Sequence, residues 1–427
     1  MFFQETVNFL VWMVYLLSLY FTIYFFILLL DKNDRKISDK VITKDGSFDL
    51  KNTFPEFTVI IPAYNEEETI KPTVESVFNL DYPKDKLNVI CVNDGSSDNT
   101  LNVLNKLKKD YPIKIIDQVN QGKYMAMNNA LKEVETPFFA CLDADSFIEK
   151  DALKTILFDF DNLKVASSLP AMKVSSPKNT LEIMQWLEYL INIFYKKLLE
   201  AVNCIHVAPG PFSVYRTDVV KDLGGFRKAH LTEDLEMAFR LQDHNYILRQ
   251  NTDAVVLTKV PNTFKAFFKQ RVRWYFGTIM NVLDYKHFFF NPKYGDFGFF
   301  FFPMVALTGI LTILGGSLII YTFSERVFRF IKDLVITRFD IFTYFEFAFN
   351  FSILDLNFRI IFSTLALMFF AVILIYHALK HLKENPVKFK HKSILVFIIY
   401  FTAYGLIMGY SWYLVLKRMV KKTKNTW

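Results

Sequence analysis

The chain has 427 residues, of which 52% are hydrophobic and 47 are phenylalanine, and its mean hydropathy is +0.20. This composition excludes a wholly soluble protein, and the length allows one soluble domain of about 250 residues beside a membrane part. Three scattered cysteines (Cys91, Cys141 and Cys204) exclude a disulfide framework or a cysteine zinc site, and the seven histidines have no metal-like spacing. Much of the +7 net charge lies at the ends of apolar segments, at 380–392 and 417–424. That placement suits anionic lipid headgroups and argues against a nucleic-acid partner.

The first apolar segment, residues 6–30, carries no charge and is long enough to span a bilayer as a helix. It lacks the basic start and the small-residue cleavage site of a signal peptide. We therefore predict a retained transmembrane helix within residues 1–31, followed by a linker over 32–54.

From residue 55 to 261, apolar runs of strand length alternate with helical patterns. This alternation predicts an α/β domain with a mainly parallel sheet covered by helices on both faces. The predicted strands are 57–62, 87–94, 113–117 and 138–145, and the predicted helices are 67–79, 99–110 and 123–133.

Polar clusters follow three of these strands, at Tyr64 and Glu66, at Asp94, and at Asp143 and Asp145. Any one of them is explained as an ordinary turn, because Asn, Asp and Gly favour turns. Ligands of such sheets bind beyond the carboxyl ends of the strands, so three clusters there indicate one shared site. Asp143 and Asp145 alternate along a strand end and point to opposite faces unless a turn brings them together. Hard carboxylate oxygens suit Mg²⁺ or Mn²⁺.

The remainder is helical and mostly apolar. Residues 262–296 are predicted to form interfacial helices, and 297–427 a membrane region with about three spans, at 297–323, 360–379 and 393–416. Residues 325–359 mix charged and aromatic side chains, which favours an amphipathic helix pair. Three spans here would leave the basic tail opposite the catalytic domain, against the positive-inside tendency, and one further crossing within 325–359 would restore it.

The acidic cluster "TEDLEMAFRL" at 232–241 has two explanations. Thr232 is a candidate N-cap, and Glu233 and Asp234 in a first turn suit the helix dipole without any catalytic role. Alternatively, Asp234 is a general base that takes a proton from an attacking hydroxyl, with Glu233 and Thr232 shaping the helix start.

The motif "QRVRW" at 270–274 is equally ambiguous. On a helix Gln270 lies near Arg273 and Trp274, where Arg273 would stabilise a departing diphosphate and Trp274 would offer a flat face to a sugar ring. The alternative is a membrane-surface helix with interfacial Arg and Trp.

Seven motifs together make the chain similar to the family 2 inverting glycosyltransferases, in their membrane-embedded processive branch of hyaluronan, chitin, cellulose and poly-N-acetylglucosamine synthases. In chain order they are "PAYNEE", "VNDGSSDNT", "NQGKYMAMNNAL", "DADS", "GPFSVYR", "TEDLEMAFRL" and "QRVRW". "GPFSVYR" looks most like the hyaluronan synthase loop, whereas "TED" looks more like the cellulose and poly-N-acetylglucosamine branches. The donor sugar is therefore left open.

The resemblance implies a GT-A fold over 55–261 with Mg²⁺ or Mn²⁺ as cofactor. It implies metal binding by Asp145 and Asp143, and catalysis by Asp234, with Glu233 and Thr232. It implies nucleotide binding by Pro62, Tyr64, Glu66, Asp94, Lys123 and Asp143. It implies acceptor and diphosphate binding by Gln270, Arg273, Trp274, Gly210 and Pro211.

The resemblance further implies a multi-pass enzyme of the cell membrane with a cytoplasmic catalytic domain. Its expected partners are a UDP-sugar donor, UDP-GlcNAc or a related hexose, the bilayer, and a growing β-linked polysaccharide that it extends with inversion and passes through its own helices. Non-processive transfer of one sugar to a lipid acceptor is the alternative within the same enzyme class. An inactive membrane scaffold or transporter subunit is the alternative outside it, and the intact acidic and basic motifs argue against it.

Overall fold

The computed structural model describes residues 2–30, 40–44, 46–50, 53–340, 358–389 and 391–421, and these divide into two compact units. The sheet unit comprises Lys32–Met304 and Ala378–Ser393 in its described part. The helical unit comprises Met1–Asp31, Val305–His377 and Ile394–Lys424.

The sheet unit is built on an eight-stranded mixed sheet with the order β5-β4-β3-β6-β9-β8-β10-β7, and a separate two-stranded hairpin, β1-β2. The strands in chain order are β1 Lys40–Thr43, β2 Gly46–Asp49, β3 Phe57–Ala63, β4 Leu87–Asp94, β5 Ile113–Gln118, β6 Phe138–Cys141, β7 Ser146–Ile148, β8 Val165–Val174, β9 Ser213–Arg216 and β10 Ile247–Thr258.

The first half of the sheet follows the sequence prediction. β3, β4, β5 and β6 pair in parallel, and the apolar runs of β3, β4 and β6 are buried because helices cover both faces. The second half is mixed, since β9 runs antiparallel to both β6 and β8, and β7 antiparallel to β10. The GT-A-like α/β architecture is confirmed, with a sheet less parallel than predicted.

Nine helices lie wholly or mainly in the described sequence from the amino terminus to residue 284. They are α1 Phe2–Leu30, α2 Ile70–Phe78, α3 Thr100–Asp110, α4 Lys123–Lys132, α5 Ala152–Leu157, α6 Thr180–Glu200, α7 Thr217–Asp222, α8 Glu233–Asp243 and α9 Phe264–Asp284. Predicted helices 67–79, 99–110 and 123–133 correspond to α2, α3 and α4. Residues at helical spacing bury one face of α2: the apolar Ile70, Val74 and Val77, and Thr73 with its hydroxyl hydrogen-bonded.

The helical unit contains α1 and most of α10 Phe302–Ile336, α11 Phe358–His381, α12 His391–Thr402 and α13 Tyr404–Lys421. Among the described residues, three helical segments are long and apolar enough to cross a membrane, and α12 with α13 forms a fourth candidate bent by 50°. Within this unit Tyr15 hydrogen-bonds Thr364 at 2.9 Å, and Gly309 lies against the Trp412 ring. Such close approach at small residues is typical of membrane helix packing.

The segment 325–359 differs in part from the predicted amphipathic pair. Residues 325–336 continue α10 as one helix, because Glu325 and Arg329 pair at helical spacing and no Pro or Gly interrupts them. The rest of that prediction falls largely on 341–357, which lie outside the described residues.

The chain after α11 packs on the sheet unit. Lys173 on β8 donates to the Leu382 carbonyl and to Glu384, both at 3.1 Å, and Trp186 on α6 meets the Phe389 ring at a centroid distance of 4.9 Å. The chain therefore leaves the sheet unit at α10 and contacts it again after α11.

Candidate active site

The loop after β3 is joined to the loop after β4. Asn65 adopts a φ of 57°, its Oδ1 accepts the Ser97 amide at 2.8 Å, and the Glu66 amide donates to Thr100 Oγ1 at 2.8 Å. Tyr64 stands 48% exposed beside them, while Pro62 lies within β3, paired with β4. These contacts arise because parallel neighbours end at the same sheet edge.

Asp94, at the end of β4, is buried and organises the loop that leads into α4. Its Oδ1 accepts from Gln118 Nε2 at 2.7 Å and from the Gln121 amide at 2.9 Å, and its Oδ2 accepts from the Gly122 amide at 2.9 Å. These bonds use three of roughly four acceptor positions on a carboxylate. Asp94 therefore sets the start of α4, where Lys123 is the first residue.

Lys123 is the cation at the centre of the site. Its Nζ lies 2.5 Å from Asp143 Oδ1 and 3.7 Å from Glu233 Oε1, so it bridges the β6 edge and the start of α8. Burial alone favours the neutral amine, but the charges of Asp143 and Glu233 outweigh it and raise the pKa of Lys123. Gly210 closes over this pair, since a Cβ there would stand 3.0 Å from Lys123 Nζ and 3.2 Å from Asp143 Oδ2.

Gly210 and the buried Pro211 come just before β9. Because β9 pairs antiparallel with β6, the segment that precedes it returns to the edge where β6 ends. This topology brings residues distant in sequence, Gly210 and Asp143, into contact.

The prediction that a strand continues through Asp145 is wrong. β6 ends at Cys141, and residues 142–145 turn: the Ser146 amide donates to the Asp143 carbonyl at 3.0 Å, and Thr73 Oγ1 donates to the Ala144 carbonyl at 2.8 Å. The turn brings Asp143 and Asp145 within electrostatic reach of each other instead of on opposite faces. Burial, then the charges of Asp143 and Glu66, raise the pKa of Asp145 to about 6.

This carboxylate group is the part of the site that suits a divalent metal. Burial first, and Asp143 after it, also raise the pKa of Glu66, so negative charge accumulates there beyond what Lys123 balances. In the part of the chain that is described, no three His, Cys, Asp or Glu side chains are arranged to hold an ion by themselves. Mg²⁺ usually takes one or two carboxylates and completes its shell with water and phosphate, so Asp143 and Asp145 fit that donor set.

Asp234 lies at the start of α8 and is half-buried. Its Oδ1 accepts the Leu235 amide at 2.9 Å, and no donor in the described ranges contacts its Oδ2. Burial, then the adjacent Glu233, raise the pKa of Asp234 to about 6, while Lys123 and Arg273 act in the opposite direction. An open oxygen of raised basicity is what a general base requires.

Thr232 occupies the N-cap position of α8, but its side chain does not cap the helix. Its Oγ1 donates to the Ala229 carbonyl at 2.9 Å and accepts from Asn281 Nδ2 of α9 at 2.9 Å. The explanation of the acidic cluster as a side-chain-capped helix start is therefore wrong for Thr232.

On α9, Gln270, Arg273 and Trp274 lie within one and a half turns. Gln270 keeps a buried Oε1 that has no hydrogen-bond partner among the described residues. The charge of Arg273 reaches Asp234, which brings α9 to the same site. Trp274 has one ring face covered, because the Arg271 guanidinium lies 4.4 Å from the ring centroid.

Sequence reasoning missed Arg271 and Glu188. Arg271 is 1% exposed, pairs with Glu188 of α6 at 2.5 Å, and also stacks on Phe267 at 4.8 Å. The spacing 267, 271, 274 places all three α9 residues on one helix face, and this spacing in the sequence could have indicated that Arg271 packs against Phe267 and Trp274. Nothing in the sequence pointed to Glu188, nor to Lys196 of α6, whose pKa burial lowers to about 8 despite the nearby charge of Asp234.

Comparisons with known proteins agree with this architecture. Residues 58–224 match the profile described as glycosyl transferase family 2. A poly-beta-1,6-N-acetyl-D-glucosamine synthase of Staphylococcus epidermidis is 32% identical over 218 residues, which are 50% of this chain and 52% of that protein. The synthase of Staphylococcus aureus strain COL is 30% identical over 220 residues, 51% and 53% of the two chains. The chain thus spans about half the length of the curated relatives it matches.

Among solved structures, a mannosyltransferase from Pyrobaculum calidifontis, in complex with GDP-Man and Mn²⁺, matches with a TM-score of 0.63 at 14% identity. The match covers 99% of each chain. At that identity the likeness concerns the fold alone.

Proposed function

We propose that this chain, whose residues 58–224 match the family 2 glycosyl transferase profile, transfers GlcNAc or a related hexose from a UDP-sugar, with inversion, to a growing β-linked polysaccharide. The observation that supports this most directly is the convergence of Lys123, Asp143, Gly210 and Glu233 at one sheet edge, with Asp234 beside them. The similarity to poly-beta-1,6-N-acetyl-D-glucosamine synthases favours UDP-GlcNAc as donor and a polymer as product.

The donor is proposed to bind at the first half of the sheet. Pro62 lies near the end of β3, Tyr64 and Glu66 lie in the following loop that the β4 loop supports, and Asp94 orders the turn that presents Lys123. Asp143 and Asp145 would hold Mg²⁺ or Mn²⁺, which when bound neutralises the diphosphate. Lys123 keeps its proton at neutral pH, so it supplies a fixed positive charge at the same edge.

The acceptor is proposed to approach from α9. Trp274 offers the ring face that Arg271 leaves open, and Gln270 offers an unsatisfied amide oxygen to a sugar hydroxyl. Asp234 Oδ2 takes the proton of the attacking hydroxyl, and Arg273 stabilises charge on the leaving diphosphate. Gly210 and Pro211 limit the space above Lys123, which helps to exclude water.

For the membrane part we propose a multi-pass arrangement with the sheet unit in the cytoplasm, where nucleotide sugars are made. Because the sheet unit contains residues both before α10 and after α11, we propose that these two helices cross the membrane as a pair. A single further crossing within 325–359 would break that pairing. In the proposed multi-pass arrangement, the membrane helices shield the polar polysaccharide from lipid during export.

The decisive experiment incubates the purified full chain with separate UDP-sugars and Mg²⁺ or Mn²⁺, and measures UDP release and product size. We expect UDP-GlcNAc turnover to yield a high-molecular-weight polymer. A product of one sugar on lipid would replace polymerisation with the non-processive alternative, and no UDP release from any donor would refute the transferase.

A further inference from the structure

A strained turn lies immediately before the acidic cluster of α8. Ala229, His230 and Leu231 have φ values of 38°, 54° and 72°, three consecutive residues in the left-handed region. For residues other than glycine each such conformation costs about 1–3 kcal/mol and persists only where surrounding contacts impose it. We call residues 229–232 the strained turn.

Helix α9 supplies those contacts through Asn281. Its side chain is fully buried, and its Nδ2 reaches Thr232 Oγ1 at 2.9 Å and the Ala229 carbonyl at 3.4 Å. It also donates to the Gly277 carbonyl of its own helix at 2.9 Å, which fixes the orientation of the amide. One buried amide thus bonds both ends of the strained turn.

Gly277 makes the close approach possible. A Cβ on Gly277 would stand 2.4 Å from both Thr232 Cγ2 and Thr232 Oγ1, a distance that no packed structure tolerates. One turn beyond Asn281 on α9, Asp284 pairs with His230 Nε2 at 3.1 Å, at an exposed position. The same face of α9 therefore contacts the strained turn at three successive levels.

The position of these contacts relates them to the chemistry. α9 carries Trp274 and Arg273 one turn before Gly277, and the strained turn ends two residues before Asp234. The helix that meets the acceptor therefore also holds the backbone that positions the base. A shift of about 1 Å between reacting groups costs on the order of 100-fold in rate.

We propose that Asn281 and Gly277 are positioning residues for the transfer reaction: through Thr232 they hold the strained turn so that Asp234 presents its open oxygen to the acceptor bound on the same helix. The inference rests on the proposed function and names residues outside the motifs that carry it.

The surroundings of Asp234 provide a readout that a purely structural role would not change. Glu233 on its own helix, Lys123 of α4, Arg273 of α9 and Lys196 of α6 all act on its charge, and burial has the largest effect on its pKa. A released turn would expose Asp234 to water, so its pKa would fall from about 6 toward the ordinary value.

The test compares Asn281→Ala with wild type for UDP affinity, kcat and the pH profile of transfer. We expect UDP affinity to change less than about twofold, because the hydrogen bonds that hold the donor residues Glu66 and Asp94 do not involve the turn. We expect kcat to fall about 10- to 100-fold. The acidic limb of the profile should move from near pH 6 to lower pH. Leu283→Ala, at a 54% exposed position of α9, is the control and should retain wild-type values.

A double-mutant cycle addresses the contact itself. Asn281→Ala and Thr232→Ala remove the same hydrogen bond, so the double variant should be little slower than the slower single variant. If the two losses multiply instead, the contact does not position the base and the proposal is overturned. Gly277→Ala gives an independent steric test should Asn281→Ala fold poorly, and wild-type kcat in Gly277→Ala would equally overturn it.

UDP release by the wild type and the kinetics of Asn281→Ala together distinguish a failure of this inference from a failure of the proposed function on which it rests. A wild type that releases no UDP refutes the proposed function and the inference with it. An active wild type, together with an Asn281→Ala enzyme whose kcat and acidic limb are unchanged, refutes the inference alone.

Discussion

Replacing Asp234 by Asn should make the protein more stable at neutral pH while it removes most of its activity. Burial and the charge of Glu233 raise the pKa of Asp234 to about 6 from its ordinary value of 3.8. The ionised carboxylate is therefore disfavoured in the folded chain. The higher pKa in the folded chain corresponds to at most about 3 kcal/mol, because water still reaches the half-buried carboxylate and screens its charge.

The sign follows from linkage. A carboxylate whose pKa is higher in the folded than in the unfolded state contributes stability below the unfolded value, and this contribution is lost as the pH rises through the folded value. At pH 7.5 the wild type has lost it, whereas Asp234→Asn has no charge to bury. The variant should therefore unfold at a higher temperature, by about 2–4 °C per kcal/mol. Near pH 4 the two proteins should melt together.

Activity should move in the opposite direction. Asn keeps the size of Asp234 but cannot accept the proton, so the chemical step should slow by about 10² to 10⁴-fold at unchanged UDP affinity. The assays are thermal unfolding in detergent between pH 4 and 8, UDP binding, and polymer synthesis. Near wild-type synthesis by Asp234→Asn would reduce the acidic cluster to an ordinary helix start.

Asp243, at the other end of α8, is the control, because its pKa is lowered in the folded chain and its replacement should change the stability in the opposite direction. Burial works against its charge, but hydrogen bonds from Tyr294 and His287 prevail and lower the pKa of Asp243. Asp243→Asn should therefore lose stability at pH 7.5, and the deficit should shrink as the pH falls. Stability changes of equal sign and size in Asp234→Asn and Asp243→Asn would contradict the conclusion that the surroundings of each carboxylate set its effect on unfolding.

The other predictions concern metal, acceptor and topology. Asp145→Asn should abolish transfer, and excess EDTA should silence the wild type; full turnover in EDTA would end the metal hypothesis. Glu188→Gln removes the counter-ion of buried Arg271, so Trp274 should loosen and the polymer shorten at unchanged UDP affinity, and wild-type chain length would contradict this role. Cysteines replacing Ser97 and Asn385 should both resist an impermeant reagent applied outside sealed cells, and labelling of either one alone would break the proposed pairing of α10 with α11.

The sequence was sufficient to predict the strands and helices that are specified by the residues of a short continuous stretch. Apolar runs bounded by turn residues located β3 and β4 closely, because a strand buried on both faces must be almost continuously apolar. The edge strand β5 was located by its β-branched residues. The helical segments long enough to span a membrane were likewise evident from composition alone. The ordered motifs pointed to the similarity with family 2 glycosyltransferases that the profile match at residues 58–224 also indicates, since the residue types at strand ends depend on the chemistry there.

The sequence was misleading where a local pattern competed with distant contacts. "FFACLDAD" reads as one strand, yet β6 stops at Cys141 because Thr73 of α2 bonds the Ala144 carbonyl and stabilises a turn. Thr232 reads as an N-cap, yet Asn281 and the Ala229 carbonyl take its hydroxyl.

The strands of the first half of the sheet and the apolar helices of membrane-spanning length could be predicted from the sequence itself. Only the tertiary structure decided which side chains meet: Lys123 with Asp143, Arg271 with Glu188, and Asn281 with Thr232. The members of each pair are separated by 20 to 83 residues of chain. Their contact depends on how sheet edge and helices pack, and no local periodicity records that.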